Sequence, residues 1–237
     1  MPGLMKMKTR CSIIIPVLDE ASGIVPLLEG LQSFRAQGAE VIVVDGGSTD
    51  NTKQLASTLA DRVTSAARGR GRQMNAGAAL ATGGILLFLH ADTLLPPDAL
   101  RLITDAVAQD RCWGRFDVRI DGTVAGLGLV AFMMNWRSRL TGIATGDQAI
   151  FVTQETFQRC GGFPEIPLME DIAFSATLRR QAPPACLTAK VTTSGRRWEK
   201  QGLFRTILMM WWLRLRFHFG ARPEDLAREY GYVPHEH

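Results

Sequence analysis

No C-x-x-C pair occurs among the four cysteines of this 237-residue chain, Cys11, Cys112, Cys160 and Cys186. Neither a zinc site nor a disulfide framework is indicated, and the thiols read as reduced core residues. No G-x-G-x-x-G fingerprint follows the first apolar run, since residues 16–23 carry Val17-Leu18-Asp19-Glu20 instead. That excludes the usual dinucleotide-dependent oxidoreductase, and the want of a glycine-rich basic loop argues against a nucleotidyltransferase. No apolar run reaches the ~20 residues that span a bilayer; residues 124–134 and 207–213 both fall short. Behind the basic residues 1–10, the run 13–18 is broken by Pro16 and is too short for a signal peptide, so a cytoplasmic protein is expected. The histidines His90, His218, His235 and His237 show no metal-ligand spacing and are assigned no chemistry. No internal repeat, low-complexity tract or linker is present.

What the chain does have is 46% hydrophobic residues, enough for a sizeable core in one globular domain. A net charge of +4 and a pI near 9.1 suit an anionic partner: a nucleoside diphosphate, a phospholipid surface or nucleic acid. The first half alternates strand-like and helix-like segments. Strands are expected at 11–15, 41–44, 62–64 and 85–89, and helices at 24–36, 52–60, 73–81 and 98–109. Continuous Val/Ile runs of this length suit strands buried on both faces of a parallel sheet. Residues 112–121 alternate instead, with Arg115, Asp117, Arg119 and Asp121 on one side, which predicts a half-exposed strand whose polar side faces a ligand. The apolar segment 207–213, flanked by Arg205, Arg214, Arg216 and His218, packs on the core, on a second subunit or in a membrane interface with Trp211 and Trp212 at headgroup depth.

Carboxylates follow the strand-like runs: Asp45 after 41–44 and Asp92 after 85–89, with Glu170-Asp171 far downstream. In open α/β sheets the carboxyl ends of the strands line the ligand crevice. The pattern therefore points to a nucleotide-plus-metal site. Asp50 also reads as a helix N-cap, and Glu170-Asp171 as a dipole-stabilised helix start. Two basic clusters, residues 68–72 with Arg72 and residues 196–198 with Arg197, read either as phosphate grips or as solvated faces.

Ser12 to Glu20 with Pro16, the run 41–50, Leu89-His90-Ala91-Asp92 and Glu170-Asp171 together resemble the ordered signatures of glycosyltransferase family 2, the inverting GT-A enzymes, over about residues 11–200. The resemblance implies an α/β fold of GT-A type: a Rossmann-like, mostly parallel central sheet flanked by helices. Residues 1–200 would be the catalytic domain and 201–237 a C-terminal helical extension. It implies transfer of a sugar from a nucleoside-diphosphate sugar to a hydroxyl acceptor, with no nucleic-acid partner. By the same resemblance Pro16, Glu20 and Asp45 hold the nucleoside, and Asp92 binds Mg²⁺ or Mn²⁺. Asp171, beside Glu170, is the general base. Gly146-Asp147-Gln148 is similar to the family's acceptor-side loop, and Arg197-Trp198 keeps the Arg-Trp of a Gln-x-x-Arg-Trp motif that has Ser194 in place of Gln. His90 stands where the family's first metal-motif carboxylate would be. That substitution motivates a second reading, a nucleotide-binding or scaffold protein of the same fold without turnover.

Overall fold

The computed structural model describes residues 10–232, so the basic residues 1–9 and His235 and His237 lie outside the described part. The chain opens β1 (Cys11–Val17), α1 (Ile24–Gly30), α2 (Gln32–Ala36), β2 (Glu40–Asp45), α3 (Thr52–Ala56), β3 (Arg62–Ser65), α4 (Arg70–Leu80) and β4 (Ile85–Phe88). It continues through β5 (Thr93–Leu94), α5 (Ala99–Ala108), β6 (Trp113–Asp121), α6 (Leu127–Thr141), a 3₁₀ turn at Gly146–Gln148, β7 (Ile150–Thr153) and α7 (Gln154–Arg159). The last elements are α8 (Glu170–Gln181), β8 (Ala185–Ser194), α9 (Arg196–Gln201), α10 (Leu203–His218) and α11 (Pro223–Glu229).

The eight strands form one sheet in the order β3-β2-β1-β4-β7-β6-β8-β5. β3, β2, β1 and β4 are mutually parallel, and β7 enters antiparallel to both β4 and β6. Both faces are covered. Ile13, Ile15, Val41 and Val43 pack under α1, α5 and α6 through Leu28, Ile103 and Leu127. On the other face, Ile14, Ile42 and Val44 meet Met74 of α4 and Phe174 of α8. Two-sided burial is why these strands read as unbroken aliphatic runs. Pro16 sits in a central strand without penalty because the pairing of β1 to β4 ends at Ile14↔Phe88, so no ladder bond awaits its missing N–H on that side.

Three expectations are corrected. The helix predicted over 24–36 is two short ones that meet at Leu31, where Gly30, a poor helix former, ends the first. The helix predicted over 52–60 keeps regular form only to Ala56 and finishes as a turn. The strand over 112–121 is half-exposed only at its end: Arg119 and Asp121 are exposed, whereas Arg115 and Asp117 are buried beneath α6. Asn135 of α6 caps the strand there, accepting from Val118 N at 2.8 Å and donating to Val118 O at 2.9 Å. Arg115 is ion-paired with Asp117, which also takes Arg139 at 2.8 Å. Charges buried in this way are tolerated because they are paired.

The C-terminal helices fold back on the body, where Leu213 of α10 and Leu226 of α11 pack with Met169 at the start of α8. α10 leaves Phe204, Leu208, Trp211 and Trp212 exposed, and α6 leaves Leu129, Phe132 and Trp136 exposed. Among the described residues no helix is long and apolar enough to cross a membrane.

Candidate active site

The carboxyl ends of β1, β2 and β4 open on one edge of the sheet. The loops after β1 and β2 are stitched together: Asp19 accepts from Thr49 N at 2.7 Å, Glu20 N donates to Thr52 Oγ1 at 2.8 Å, and Asp50 accepts from Ala21 N at 3.1 Å. Asp50 thus ties the two loops to each other and accepts Thr52 N at 3.0 Å. The buried Asp45 carboxylate accepts Gly47 N at 3.0 Å and Ser48 N at 3.1 Å, which shapes the turn. Beneath it, Gln73 of α4 donates to Val17 O at 2.9 Å and Val44 O at 2.8 Å. Only glycine fits over that amide, since a Cβ at Gly46 would lie 2.9 Å from it.

Charged side chains from five segments converge on this edge. Asp92 follows β4, and Asp147 lies in the 3₁₀ turn before β7. Glu170 and Asp171 begin α8, Arg70 begins α4, and Arg197 lies in α9. Arg70 is the hub. Burial alone would lower its guanidinium, yet Glu170, Asp147, Asp171 and Asp92 together hold it above its ordinary value. Asp92 and Asp171, separated by most of an α/β domain in sequence, thus act on one cation. Arg197 feels Arg70, Asp147 and Asp92, and its guanidinium also stacks over Tyr230 at 4.9 Å. For Glu20, burial and the charges of Asp92 and Asp50 push the carboxyl up against Arg196, 3.8 Å away, and Arg70.

His90 belongs to this cluster. Its Nδ1 lies 3.3 Å from Asp147 Oδ1, and its ring lies so close to Gly146 that a Cβ there would be 2.1 Å from Nε2. Burial would raise the Asp147 carboxyl, but the His90 hydrogen bond and the charges of His90, Arg70 and Arg197 bring it down to about 2. Asp171 accepts Gly146 N at 2.8 Å and Ile172 N at 2.7 Å. His90 and Asp171 line the same small cavity, together with Met74, Phe88 and Phe163.

Glu170 is buried, and burial first, then Asp171, pushes its carboxyl up to about 7, with Arg70 opposing. The native state therefore holds a proton that the unfolded chain releases near the ordinary value of 4.5. Stability from this group is full below that pH and falls as pH rises toward 7. Glu170→Gln is expected to remove the fall, so that its advantage in unfolding free energy grows by roughly 1–3 kcal/mol across the window. Urea denaturation at pH 5 and pH 8 checks this, and a pH-independent difference between the two proteins would contradict it.

The expected site residues are not all brought together. Pro16 and Asp45 lie at the carboxyl ends of β1 and β2 and Glu20 in the loop after β1, while Asp92, Asp147, Glu170, Asp171 and Arg197 share the charged cluster. Arg72 instead pairs with Glu165 at 3.1 Å, and Arg70 of the same motif supplies the central charge. Helical spacing from Gly69, whose φ of 137° starts α4, separates the directions of Arg70 and Arg72. Sequence reasoning also passed over His90, for which the signal was its place in the His-Ala-Asp motif. Arg137 and Arg214 carried no motif at all.

A divalent cation suits this donor set in one way only. Among the described residues no group of three His, Cys, Asp or Glu side chains could hold a metal. Asp92 is a hard carboxylate whose contact within the protein is a 3.4 Å hydrogen bond from Thr93 Oγ1. One such ligand fits Mg²⁺ or Mn²⁺ whose remaining positions go to diphosphate oxygens and water.

The model for the family described as glycosyl transferase family 2 matches residues 12–156. A PGL/p-HBAD biosynthesis glycosyltransferase of Mycobacterium bovis is 37% identical over 91 residues, 35% of this chain and 36% of that protein. Succinoglycan biosynthesis protein ExoA of Rhizobium meliloti is 37% identical over 115 residues, 42% of this chain and 33% of that protein. The matched stretch thus covers about a third of these curated relatives. Among solved structures, S. aureus TarS 1-349 in complex with UDP-GlcNAc superposes with a TM-score of 0.64 at 19% identity, covering 78% of this chain and 58% of that one. Mannosyltransferase PcManGT from Pyrobaculum calidifontis, in complex with GDP-Man and Mn²⁺, gives 0.62 at 22% identity over 95% of this chain and 66% of that one. The fold is GT-A, as the sequence motifs implied.

Proposed function

Since the chain belongs to glycosyl transferase family 2, we propose that it moves a sugar from a nucleoside-diphosphate sugar to a hydroxyl acceptor with inversion at the anomeric carbon. The observation that carries this reading is the meeting of the His90–Asp147 pair and the Asp171 carboxylate at one cavity on the carboxyl edge of the sheet. The relatives lend support: TarS was solved with UDP-GlcNAc and PcManGT with GDP-Man and Mn²⁺.

In this reading Pro16, Glu20 and Asp45 border the nucleoside, while Arg70, Arg197 and, at its rim, Arg72 counter the diphosphate charge. Asp92 would hold Mg²⁺ or Mn²⁺, which when bound neutralises charge on the departing diphosphate. Asp171 does the proton chemistry. Two backbone N–H groups fix its carboxylate in the cavity it shares with His90. As the acceptor oxygen bonds to the anomeric carbon and the bond to the nucleoside diphosphate breaks, Asp171 takes the hydroxyl proton. Asp147, held by His90, borders the acceptor, and Glu170 in its protonated form leaves Asp171 as the base. The exposed face of α10 suits a second subunit or a membrane surface.

A thermal-shift panel of nucleoside diphosphates and their sugars, with Mn²⁺ or chelator, tests the donor half. A ligand at about 100 times its Kd adds about 2.7 kcal/mol, which for a chain of this size raises Tm by roughly 5–10 °C. No shift with any nucleotide would reject the reading. Binding without release of sugar or diphosphate would favour the non-catalytic alternative that His90, in place of a carboxylate, keeps open.

A further inference from the structure

Near Asp171 the protein buries arginine donors that it does not pair. Arg137 Nε and Nη2 in α6 and Arg214 Nε in α10 are inaccessible to solvent and have no hydrogen-bond partner. Arg115 Nε in β6 is in the same state, although the rest of that guanidinium is committed to Asp117 and Asn135 O. A buried donor without a partner is destabilising, the more so when charged. A fold retains several of them together where a ligand completes them.

The electrostatics divide the arginines into two sets. Asp92 acts on Arg70 and Arg197, the donor-side pair. Arg214 is acted on by Asp171 and Asp147, and Arg137 by Arg214, Asp171 and Arg115. Burial, then repulsion from Arg214 and Arg115, brings Arg137 down to about 10 against the pull of Asp171. Guanidinium donors left without partners have planar forks that match the oxygens of a phosphate.

We propose that Arg137 and Arg214 form an anion subsite on the acceptor side of Asp171, and that the acceptor carries a phosphate group within reach of its reacting hydroxyl. This rests on the transferase reading for the word acceptor. The subsite itself rests on the unpaired donors. The phosphate may be presented on a soluble molecule or on a lipid: α6 and α10, which carry the two arginines, also expose Phe132, Trp136, Leu208 and Trp211.

The test is a calorimetric titration of inorganic phosphate into the full chain already saturated with a nucleoside diphosphate. Wild-type protein is expected to bind phosphate, and Arg137→Gln and Arg214→Gln each to weaken it about 10-fold or more, the equivalent of one charged hydrogen bond. Arg214→Lys should recover only part of that loss, because it restores charge without the fork. Ligand-free melting temperatures of the Gln variants should hold or rise, since an unpaired buried donor is gone. Phosphate binding unchanged in both Gln variants, no phosphate binding at all, or displacement of phosphate by the nucleoside diphosphate would each overturn the subsite. A fall in ligand-free melting temperature in both Arg214→Gln and Arg214→Lys would assign the side chain to the fold and overturn it equally. Titration with the nucleoside diphosphate alone reports separately on the transferase reading. Glycerol phosphate against phosphatidylcholine vesicles containing phosphatidic acid then separates the sources. Arginine-dependent binding of the first marks a free phosphorylated acceptor, of the second alone a lipid-borne one, and of neither a failure of the proposal.

Discussion

Asp171→Asn is expected to lower sugar transfer by about 10²–10⁴-fold, the contribution of a positioned general base, while nucleoside-diphosphate affinity stays near that of the wild type. The carboxylate holds two backbone N–H groups, Gly146 N at 2.8 Å and Ile172 N at 2.7 Å. An asparagine oxygen keeps one of these bonds and fills the same space, so the substitution removes a proton acceptor without emptying the cavity. Because binding of the donor involves other side chains, the loss should fall on kcat and not on donor binding. Single-turnover rates with calorimetric affinities for the nucleoside diphosphate make the comparison. Turnover within a few-fold of wild type would remove Asp171 from the chemistry and shift attention to Asp147.

Asp92→Ala has the second largest expected effect. In the reading in which Asp92 holds the cation, its loss should weaken nucleoside-diphosphate binding in Mn²⁺ by at least ~10–100-fold, the range seen when even an outer-shell partner of a metal is removed. In chelator the same substitution should change affinity little, and could strengthen it, because Asp92 then only repels phosphate. An equal loss in Mn²⁺ and in chelator would mean that Asp92 contacts the nucleotide or supports the loop through Thr93 instead of serving a metal. The result also bears on His90. Its hydrogen-bonding distance to Asp147 ties the loop after β4 to the 3₁₀ turn before β7, which in the proposed reading makes it a positioning group between metal and acceptor.

The positions of Asp45 and Asp92 at strand ends were legible because strand identity here comes from uninterrupted aliphatic runs, and a strand's end follows from where the run stops. The start of α8 at Glu170-Asp171 was legible because acidic residues favour the first turn of a helix. The first half of the strand over 113–121 was misjudged because alternation of charge and apolar residues ordinarily signals a wet face, whereas here α6 covers Arg115 and Asp117, which pair with each other and with Arg139 at the surface. The break between α1 and α2 was missed because a single glycine in a helical pattern is usually tolerated.

Short-range chemistry thus determined the βα alternation, the family motifs and the carboxylates at the sheet edge, since each depends on residues within a few positions of one another. Only the tertiary structure decided which arginines belong to the site. Arg70 and not Arg72 faces the carboxylates, and Arg137 and Arg214 arrive from helices with no motif of their own. The reason is that charge coupling falls off with distance through space and not along the chain, so groups as remote in sequence as Arg70 and Asp171 become partners only once the sheet has folded.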